Sequence, residues 1–588
     1  MSIYDKASLV LIPSGTKTSK IFSQKPVNGD GDFTFSRSTA ATRVNADGNI
    51  EKETQNLLLQ SNSFSTSWGV SNMSRTNGQS GYDGSSDAWL ISKSASFAYL
   101  YQNNATSGLQ TFSIYAKSGS SNWMRLTLLG SSDCHQFFDL QNGVVGTPSG
   151  GSFITSSIEA VGATGWYRCS VTHNQTLAQP RIYPAESDGV YSGTSGSIYI
   201  QDSQINQGLV ATDYIETTTA AVEGGITDNV PRLDYTDSSC PALLLEPQRT
   251  NKESNSELLG TFSNSIIRLV NDTTSPEGLV NANKIVEASA TARHEIYSDP
   301  ISFGGNDHIV SFFGKADERR YVSVFLAGDP AYGGATFDLQ AGTISQTSGG
   351  TTANVEDYGN GWYRCSFSVN YPSSTQLYIC MRTADNDVNV QTYAGDGTSG
   401  FHIWGMQIEQ GSYATSYIPT YGTSVTRNQD VNNAYNVSSL IGQTEGTLYL
   451  EFVVGQTSDF QVIFQTRTTN TTTSNVGQID IRFQNGTIRA LGNDGGATQF
   501  NINGGAISLG DVVKCAVAYA NNNSTFYING NQAATDTNCS FTSSVLDDIT
   551  FNERAAVSTS YIQKQFIKQT LIFKTRLSNE ELAALTTI

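Results

Sequence analysis

The chain has 588 residues and a formal net charge of −18, because 52 acidic residues outnumber 34 basic ones. At roughly 150 residues per domain, this length indicates several hydrophobic cores rather than one. The acidic balance disfavours a nucleic-acid partner, whose phosphates require a basic surface, and also disfavours docking on an anionic membrane.

The first fifty residues contain the turn pair Asp47-Gly48, which favours a β-hairpin between two short strands. A stretch of similar composition follows much later, at residues 229–246. Neither segment is long enough to enclose a core of its own. We therefore expect residues 1–55 and 219–249 to form one small discontinuous β module.

Two long segments of the chain are copies of each other. The six residues Gly165–Ser170 recur as Gly361–Ser366, with the sequence G-W-Y-R-C-S in both places. Further collinear matches are Phe138–Gly143 with Phe337–Gly342, Gly193–Gly196 with Gly397–Gly400, and Ala211–Ile215 with Ala414–Ile418. Such a repeat predicts two homologous domains, at residues 56–218 and 250–425.

Inside each copy, hydrophobic residues alternate with small or polar ones, as in Thr111–Lys117 and Val310–Lys315. Short alternating runs separated by Gly, Asn and Ser turns are typical of antiparallel jelly-roll sandwiches. Trp166 and Trp362 occupy the same place in the two copies, and we interpret both as core residues.

The last part of the chain, residues 441–588, has a different pattern of predicted strands. Asn529-Gly530 favours a hairpin directly after the strand Ser524–Ile528. Ser578 precedes an acidic turn, and this arrangement predicts the start of a short helix. Residues 426–440 are expected to form a linker between this domain and the second copy.

Several motifs resemble those of bacteriophage virion fibre proteins. They are Ile12–Gly15, Arg37–Val44 and Asn229–Tyr235 in the N-terminal part, and Gly397–Gly400 and Ala414–Pro419 in the second copy. The last domain is similar to concanavalin A-like or laminin-G-like lectin domains through Thr525–Gly530 and Leu577–Leu582. The resemblance implies an all-β chain, in which two jelly rolls of the carbohydrate-binding-module type, one concanavalin A-like sandwich and the small module assemble as a homotrimer.

The seven cysteines are scattered and form no C-x-x-C pair, which favours folding in a reducing compartment. The apolar run before Pro13 is too short for the hydrophobic part of a signal peptide, and no later run could span a bilayer. We therefore expect assembly in a host cytoplasm and incorporation into a virion.

No recognisable catalytic constellation is present in the sequence. The five histidines form no metalloprotease motif, and neither a G-x-S-x-G elbow nor a P-loop occurs. Two carboxylates about 5–10 Å apart are enough for a glycosidase, so a polysaccharide depolymerase is kept as an alternative. The pattern otherwise favours a protein that is not an enzyme.

One loop has the spacing of a cation site. Asp385, Asp387 and Asn389 alternate along the chain, and Asp396 follows them. Such oxygen ligands can wrap Ca²⁺, but Val390 stands where the sharp turn of an EF-hand requires glycine. An Asx-rich turn explains the same residues, so we expect no cofactor and keep Ca²⁺ as the alternative.

Sugar binding requires an exposed aromatic ring with hydrogen-bonding neighbours. Trp89 is the candidate, because the alternation in this strand places it opposite Ala88 and Leu90. Its counterpart in the second copy is taken as Lys284, and a lysine there predicts a solvent-facing position. A register error of one residue would bury Trp89 instead.

Together these patterns predict a structural virion protein: a tail or head fibre, another appendage, or a capsid-decoration protein. It would bind host surface glycans weakly, and many linked copies would make the attachment effective. Its other partners are expected to be virion proteins, which the discontinuous module would contact. A depolymerising tailspike and a structural spacer that binds no sugar are the alternatives.

Overall fold

In the computed structural model the chain is described over residues 2–236, 238–260, 265–326, 333–375, 377–382, 392–457, 460–468, 476–551 and 563–588. Over these ranges it is nearly all β, and its sheets are antiparallel. The predicted all-β class is therefore confirmed. Neither α-helix in the described part has the length and apolar character needed to cross a membrane.

The elements of the first sandwich follow those of the N-terminal part. The N-terminal elements are α1 (Ile3–Lys6), β1 (Leu9–Leu11), β2 (Thr16–Lys17), β3 (Lys20–Ile21), β4 (Phe33–Ser36), β5 (Arg43–Val44), β6 (Ile50–Glu51) and β7 (Thr54–Asn56). Those of the sandwich are β8 (Gly69–Ser71), β9 (Met73–Gln79), β10 (Ala88–Lys93), β11 (Tyr99–Tyr101), β12 (Leu109–Ser118), β13 (Trp123–Gly130), β14 (Cys134–Asp139), β15 (Val144–Val145), β16 (Ser149–Gly150), β17 (Phe153–Ala160), β18 (Trp166–Asn174), β19 (Leu177–Ala185) and β20 (Ser197–Gln207).

A connecting segment and a second sandwich come next. The connecting strands are β21 (Val222–Gly224), β22 (Arg232–Asp234), β23 (Ala242–Leu245) and β24 (Arg249–Asn251). The second sandwich contains β25 (Ile266–Thr273), β26 (Ala282–Glu287), β27 (Thr291–Ala292), β28 (Glu295–Tyr297), β29 (Ile301–Ser302), β30 (Asp307–Ala316), β31 (Tyr321–Leu326), β32 (Gly334–Asp338), β33 (Thr343–Ser348), β34 (Ala353–Asp357), β35 (Trp362–Asn370), β36 (Ser374–Thr375), β37 (Leu377–Arg382), β38 (Tyr393–Ala394) and β39 (Gly400–Gln410).

The C-terminal sandwich follows the second sandwich. The strands before it are β40 (Val425–Arg427) and β41 (Val431–Ala434), followed by a 3₁₀ turn at Ser438–Leu440. Its own elements are β42 (Glu445–Val453), β43 (Phe460–Arg467), β44 (Gly477–Gln484), β45 (Thr487–Asp494), β46 (Ala497–Ala506), β47 (Val512–Ala520), β48 (Ser524–Ile528), β49 (Asn531–Asp536), β50 (Asp548–Phe551), β51 (Gln565–Phe573) and α2 (Asn579–Thr586).

The first sandwich packs two antiparallel sheets face to face. One sheet has the order β17-β18-β12-β20-β10-β9, and the other has the order β15-β14-β13-β19-β11-β8. Side chains alternate between the two faces of a strand, so Phe112, Ile114 and Ala116 of β12 all point inward and are fully buried. Both inner faces contribute to one hydrophobic core.

The second sandwich repeats this topology, except that its second sheet has no counterpart of β8 among the described residues. Its sheets have the orders β34-β35-β30-β39-β26-β25 and β33-β32-β31-β37-β28. Trp166 lies opposite Lys117, and Trp362 lies opposite Lys315 in the corresponding strand pair. Both indoles are buried, which confirms their interpretation as equivalent core residues.

The N-terminal segments extend the C-terminal sandwich, and this corrects the expectation of a separate module. Strands β1 and β23 both pair with β51, while β4 joins the opposite sheet through β41. Backbone hydrogen bonds do link the two segments, from Tyr235 N to Val44 O at 3.1 Å and from Asn229 N to Arg37 O at 2.8 Å. Their apolar residues enter the core of the C-terminal sandwich, because segments this short cannot bury both faces alone.

The segment expected to be a linker, residues 426–440, is also part of the fold. Strand β41 lies between β4 and β50 in a sheet of the C-terminal sandwich. The predicted hairpin at Asn529-Gly530 and the helix start at Ser578 are confirmed, and Ser578 accepts a hydrogen bond from Glu581 N.

A buried ionic cluster joins these segments where they meet the second sandwich. Arg37 donates to Asp430 at 3.0 Å, and Arg232 and Arg427 both donate to Glu246, at 2.7 and 2.6 Å. Burial alone would raise the pKa of Glu246, but the two guanidinium groups hold it well below its usual range. Because each charge is paired, the cluster can lie fully inside the protein.

Candidate functional site

Trp89 is buried, and the expectation that it faces solvent is wrong. Its side chain is 8% exposed and lies in the core of the first sandwich, edge-on to Phe64. Its indole N–H donates to the carbonyl of Asn62 at 2.9 Å. The ring is therefore not available to stack on a sugar.

A one-residue error in matching the two copies explains the mistake. Trp89 lies opposite Ile200, and in the second copy the residue opposite Ile403 is Asn283. Lys284 is thus the counterpart of Leu90, the outward-facing neighbour of Trp89. Shifting a strand by one position exchanges its two faces, so the correct match places Trp89 on the inward face.

The proposed cation loop gives no support for a metal. Asp385, Asp387 and Asn389 lie outside the described residues. Asp396 accepts hydrogen bonds from the backbone N–H groups of Thr398 and Ser399 at 2.8 and 2.7 Å, as a turn-capping residue does. The hydroxyl of Ser399 also donates to this carboxylate. This hydroxyl, followed by the two backbone N–H groups, lowers the pKa of Asp396. Within the described ranges, no group of three or more His, Cys, Asp or Glu side chains could hold a metal ion.

The outer face of the sheet that contains β13 and β19 carries a continuous group of aromatic and cationic side chains. Inward residues such as Leu126 and Ile182 belong to the core, so the alternating positions on the same strands point away from it. We call this surface the tyrosine–arginine face, and it consists of Tyr99, Tyr101, Arg125, Arg181, Tyr183 and Tyr191.

The rings of the tyrosine–arginine face contact each other in a row. Tyr183 lies between Tyr99 and Tyr191, with ring centroids 5.1 and 5.4 Å away, and Tyr101 follows at 5.6 Å from Tyr99. Tyr99 and Tyr101 remain partly exposed. Gly69 stands opposite Tyr101 on the edge strand, where the Tyr101 ring leaves no room for a Cβ atom. The glycine therefore lets this ring lie flat on the sheet.

Two arginines are held between these rings. The guanidinium carbon of Arg125 is 3.8 Å from the ring centroid of Tyr191 and 5.2 Å from that of Tyr183. Arg181 lies over Tyr99 at 4.5 Å and donates to Gln179. Stacking on aromatic faces fixes the plane of a guanidinium group and leaves its edge for hydrogen bonding.

Polar atoms without partners accompany this arrangement. The Nε of Arg125, the hydroxyl of Thr127 and the Nδ1 of His135 are buried and have no hydrogen-bond partner among the described residues. Thr127 and His135 are directly opposite each other on neighbouring strands. Burial, and then the charge of Arg125, lower the pKa of His135. Buried polar groups are nearly always satisfied, so this surface has unused hydrogen-bonding capacity.

At the corresponding positions the second sandwich has the rings of Tyr297 and Tyr378, with centroids 4.5 Å apart, but neither of the two arginines. Ser323 stands where the first copy has Arg125, and it pairs with Cys380 where Arg125 pairs with Tyr183. Cys380 in turn donates to the carboxylate of Glu295 at 3.2 Å. The two copies therefore share their core and topology but differ in the chemistry of this outer face.

Sequence reasoning did not single out the tyrosine–arginine face. A signal for it existed in the alternating pairs Tyr99-Leu100-Tyr101 and Arg181-Ile182-Tyr183, in which two aromatic or charged residues flank one core residue. What the sequence could not provide was the order of the strands, which brings these two segments side by side.

A cavity of about 550 Å³ lies where the first sandwich meets the N-terminal part and the chain after the second sandwich. Its lining includes Glu53, Gln55, Asn174 and Tyr421. Burial, and then the charges of Glu223 and Asp228, raise the pKa of Glu53 to about 7. The ammonium group of Lys52 lies 5.5 Å from the ring centroid of Tyr421.

Glu53 is the one carboxylate among the described residues that line this cavity. A glycosidase uses two carboxyl groups about 5–10 Å apart, and this lining does not supply such a pair.

No protein-family model matches the chain, and no curated protein matches it. Solved structures similar to it include carbohydrate-binding modules and laminin G domains. The CBM40 module of the Ruminococcus gnavus IT-sialidase, solved with α2,3-sialyllactose, shares 16% identity at a TM-score of 0.24 and covers 26% of this chain and 91% of its own. The tandem CBM22 domains of Paenibacillus barcinonensis Xyn10C share 10% identity at a TM-score of 0.19, over 61% of this chain and 97% of their own. Mouse laminin α1 domains LG4-5 share 11% identity at a TM-score of 0.17, over 56% and 91%. These likenesses concern the fold alone.

Proposed function

We propose that this protein binds glycans without cleaving them, and that it does so as a fibre, appendage or capsid-decoration protein of a bacteriophage particle. The tyrosine–arginine face carries the binding part of the proposal. It combines partly exposed rings, on which a sugar can stack, with hydrogen-bonding groups held in fixed positions beside them.

The virion part of the proposal is supported by the motifs that resemble those of phage fibre proteins. The partners would be other virion proteins and host surface glycans, and the assembly would be a homotrimer made in the host cytoplasm. An open face of this size gives weak binding at each site, and several linked copies raise the effective concentration of the remaining sites.

Glycan binding is tested with the double variant Tyr99→Ala/Tyr101→Ala. Base-stacking aromatics lose about 1–3 kcal/mol on substitution by alanine, so we expect glycan affinity to fall by at least fivefold. A glycan array followed by calorimetry on the strongest ligand measures the change. The matched control is Tyr297→Ala, which removes the counterpart of Tyr101 in the second sandwich and is expected to leave binding unchanged.

Three outcomes would contradict the proposal. Unchanged binding in the double variant would remove the tyrosine–arginine face as the site. A silent array would favour a structural spacer, and oligosaccharide released by the wild-type protein would favour a depolymerising tailspike. The virion context is tested separately, by electron microscopy of particles labelled with an antibody against this chain, and unlabelled particles would refute it.

A further inference from the structure

The arginines of the tyrosine–arginine face have no acidic partner in the described part of the chain. Among the residues that the structure describes, no carboxylate lies within ion-pair distance of Arg125 or Arg181. The chain as a whole is acidic, with 52 acidic residues and a net charge of −18. Two positive charges on one face therefore stand uncompensated.

Arg125 is the more informative of the two, because it is only 6% exposed. Burying a charge is costly unless it is paired and hydrogen-bonded. The buried arginines of the junction cluster obey this rule, since Arg37, Arg232 and Arg427 all contact carboxylates. Arg125 is surrounded by aromatic rings instead, and its Nε has no partner in the described part of the chain.

The fold itself does not require these charges. In the second sandwich, Ser323 takes the place of Arg125, and Tyr378 takes the place of Arg181. The strands shared by the two copies have the same order, and the same type of core forms without a cation at either position. The two arginines are thus explained by what the first sandwich contacts rather than by how it folds.

Their geometry suits a planar anion. Arg181 lies opposite Thr127 on the neighbouring strand. Arg125 lies two residues before Thr127, so the side chains of Arg125 and Arg181 are diagonal neighbours on one face. Diagonal neighbours on a sheet are about 7–8 Å apart at their Cα atoms, so two long side chains can both contact one small group that lies between them. The forked N–H donors of arginine match the two oxygens of a carboxylate.

We infer that the tyrosine–arginine face selects an acidic sugar, binding its carboxylate between Arg125 and Arg181 while the sugar stacks on Tyr99 and Tyr101. This inference rests on the proposed glycan-binding function and adds the class of ligand. Uronic acids and sialic acids both supply such a carboxylate on a sugar ring.

The experiment compares each acidic sugar with its own methyl ester, which keeps the sugar and removes the charge. Oligosaccharides of glucuronic, galacturonic and N-acetylneuraminic acid, each as acid and ester, are titrated into the full-length protein. We expect at least one acid to bind about tenfold more tightly than its ester, and this preference to shrink as sodium chloride is raised.

Variants assign the preference to the two arginines. Arg181→Gln is expected to reduce the affinity for the acid about tenfold and to leave the affinity for the ester unchanged. Arg125→Gln is expected to do the same. Arg125 is buried, so this variant could fail to fold, and in that case the variant of the partly exposed Arg181 still tests the inference. Arg489→Gln, on the C-terminal sandwich, is the matched control for loss of one positive charge.

The outcomes separate this inference from the function on which it rests. If acids and esters bind equally, or if only neutral glycans bind, the acidic ligand is refuted and glycan binding stands. If acids are preferred but neither arginine variant weakens them, the assignment to this face is refuted. If no glycan of any kind binds, both the inference and the proposed function fail.

Discussion

Replacing Trp89 by alanine should destabilise the first sandwich strongly without touching a binding surface. The indole is 8% exposed, packs edge-on to Phe64 and donates a hydrogen bond to Asn62 O. Deleting a buried Trp side chain costs about 3–5 kcal/mol, because the cavity it leaves collapses only in part. Trp89→Phe retains most of the ring and loses the hydrogen bond, so its cost should be closer to 1–3 kcal/mol.

Chemical unfolding followed by circular dichroism measures these differences. The transition assigned to the first sandwich should move to lower denaturant concentration, with an unchanged slope. Trp123→Ala is the matched control. Trp123 is partly exposed at an outward-facing position of β13, so its replacement should lower the stability of the protein less. A Trp89→Ala variant with wild-type stability and reduced glycan binding would refute the buried placement.

Two further predictions concern titrating groups in the junction region. The folded pKa of Glu53 is raised to about 7 by burial and its acidic neighbours, so its contribution to stability is present below the unfolded pKa near 4.5 and lost as pH rises through 7. Glu53→Gln should therefore raise the melting temperature at pH 8 and leave it nearly unchanged at pH 4, and an equal effect at both would contradict this. The folded pKa of Glu246 is lowered, so its contribution is present at neutral pH and is lost as pH falls below about 4.5 toward the folded pKa. Glu246→Gln should lower the free energy of unfolding by about 3–5 kcal/mol at pH 7, because Arg232 and Arg427 lose a buried partner, and by less at pH 3. Calorimetry at the two pH values measures this difference, and an equal loss at both would refute the prediction.

Local sequence patterns predicted the strands well. The alternation in Thr111–Lys117 corresponds to β12, the Asn-Gly pair marks the hairpin between β48 and β49, and Ser578 caps α2. These features depend on residues close together in the chain, whose conformational preferences are carried by the residue types themselves.

Features that depend on distant partners could not be predicted in the same way. The pairing of β1 and β23 with β51 joins segments from three parts of the chain, and no local pattern specifies which exposed strand edge a short strand will meet. The orientation of Trp89 failed for a related reason. Leu90 and Ile91 are both apolar, so alternation alone did not decide which of them faces the core.

The pairing of β1 with β51 has a consequence for the order in which the protein can form. Tyr4 and Gln569, which are hydrogen-bonded to each other, are 565 residues apart in sequence. At synthesis rates of about 5–20 residues per second, the first strand waits about half a minute to two minutes for its partner. The first sandwich can fold meanwhile, since its strands lie within one continuous segment. Strand β1 is fixed in place only when β51 has been made and pairs with it. A product truncated before Gln565 should therefore be cleaved by proteases near its N-terminus.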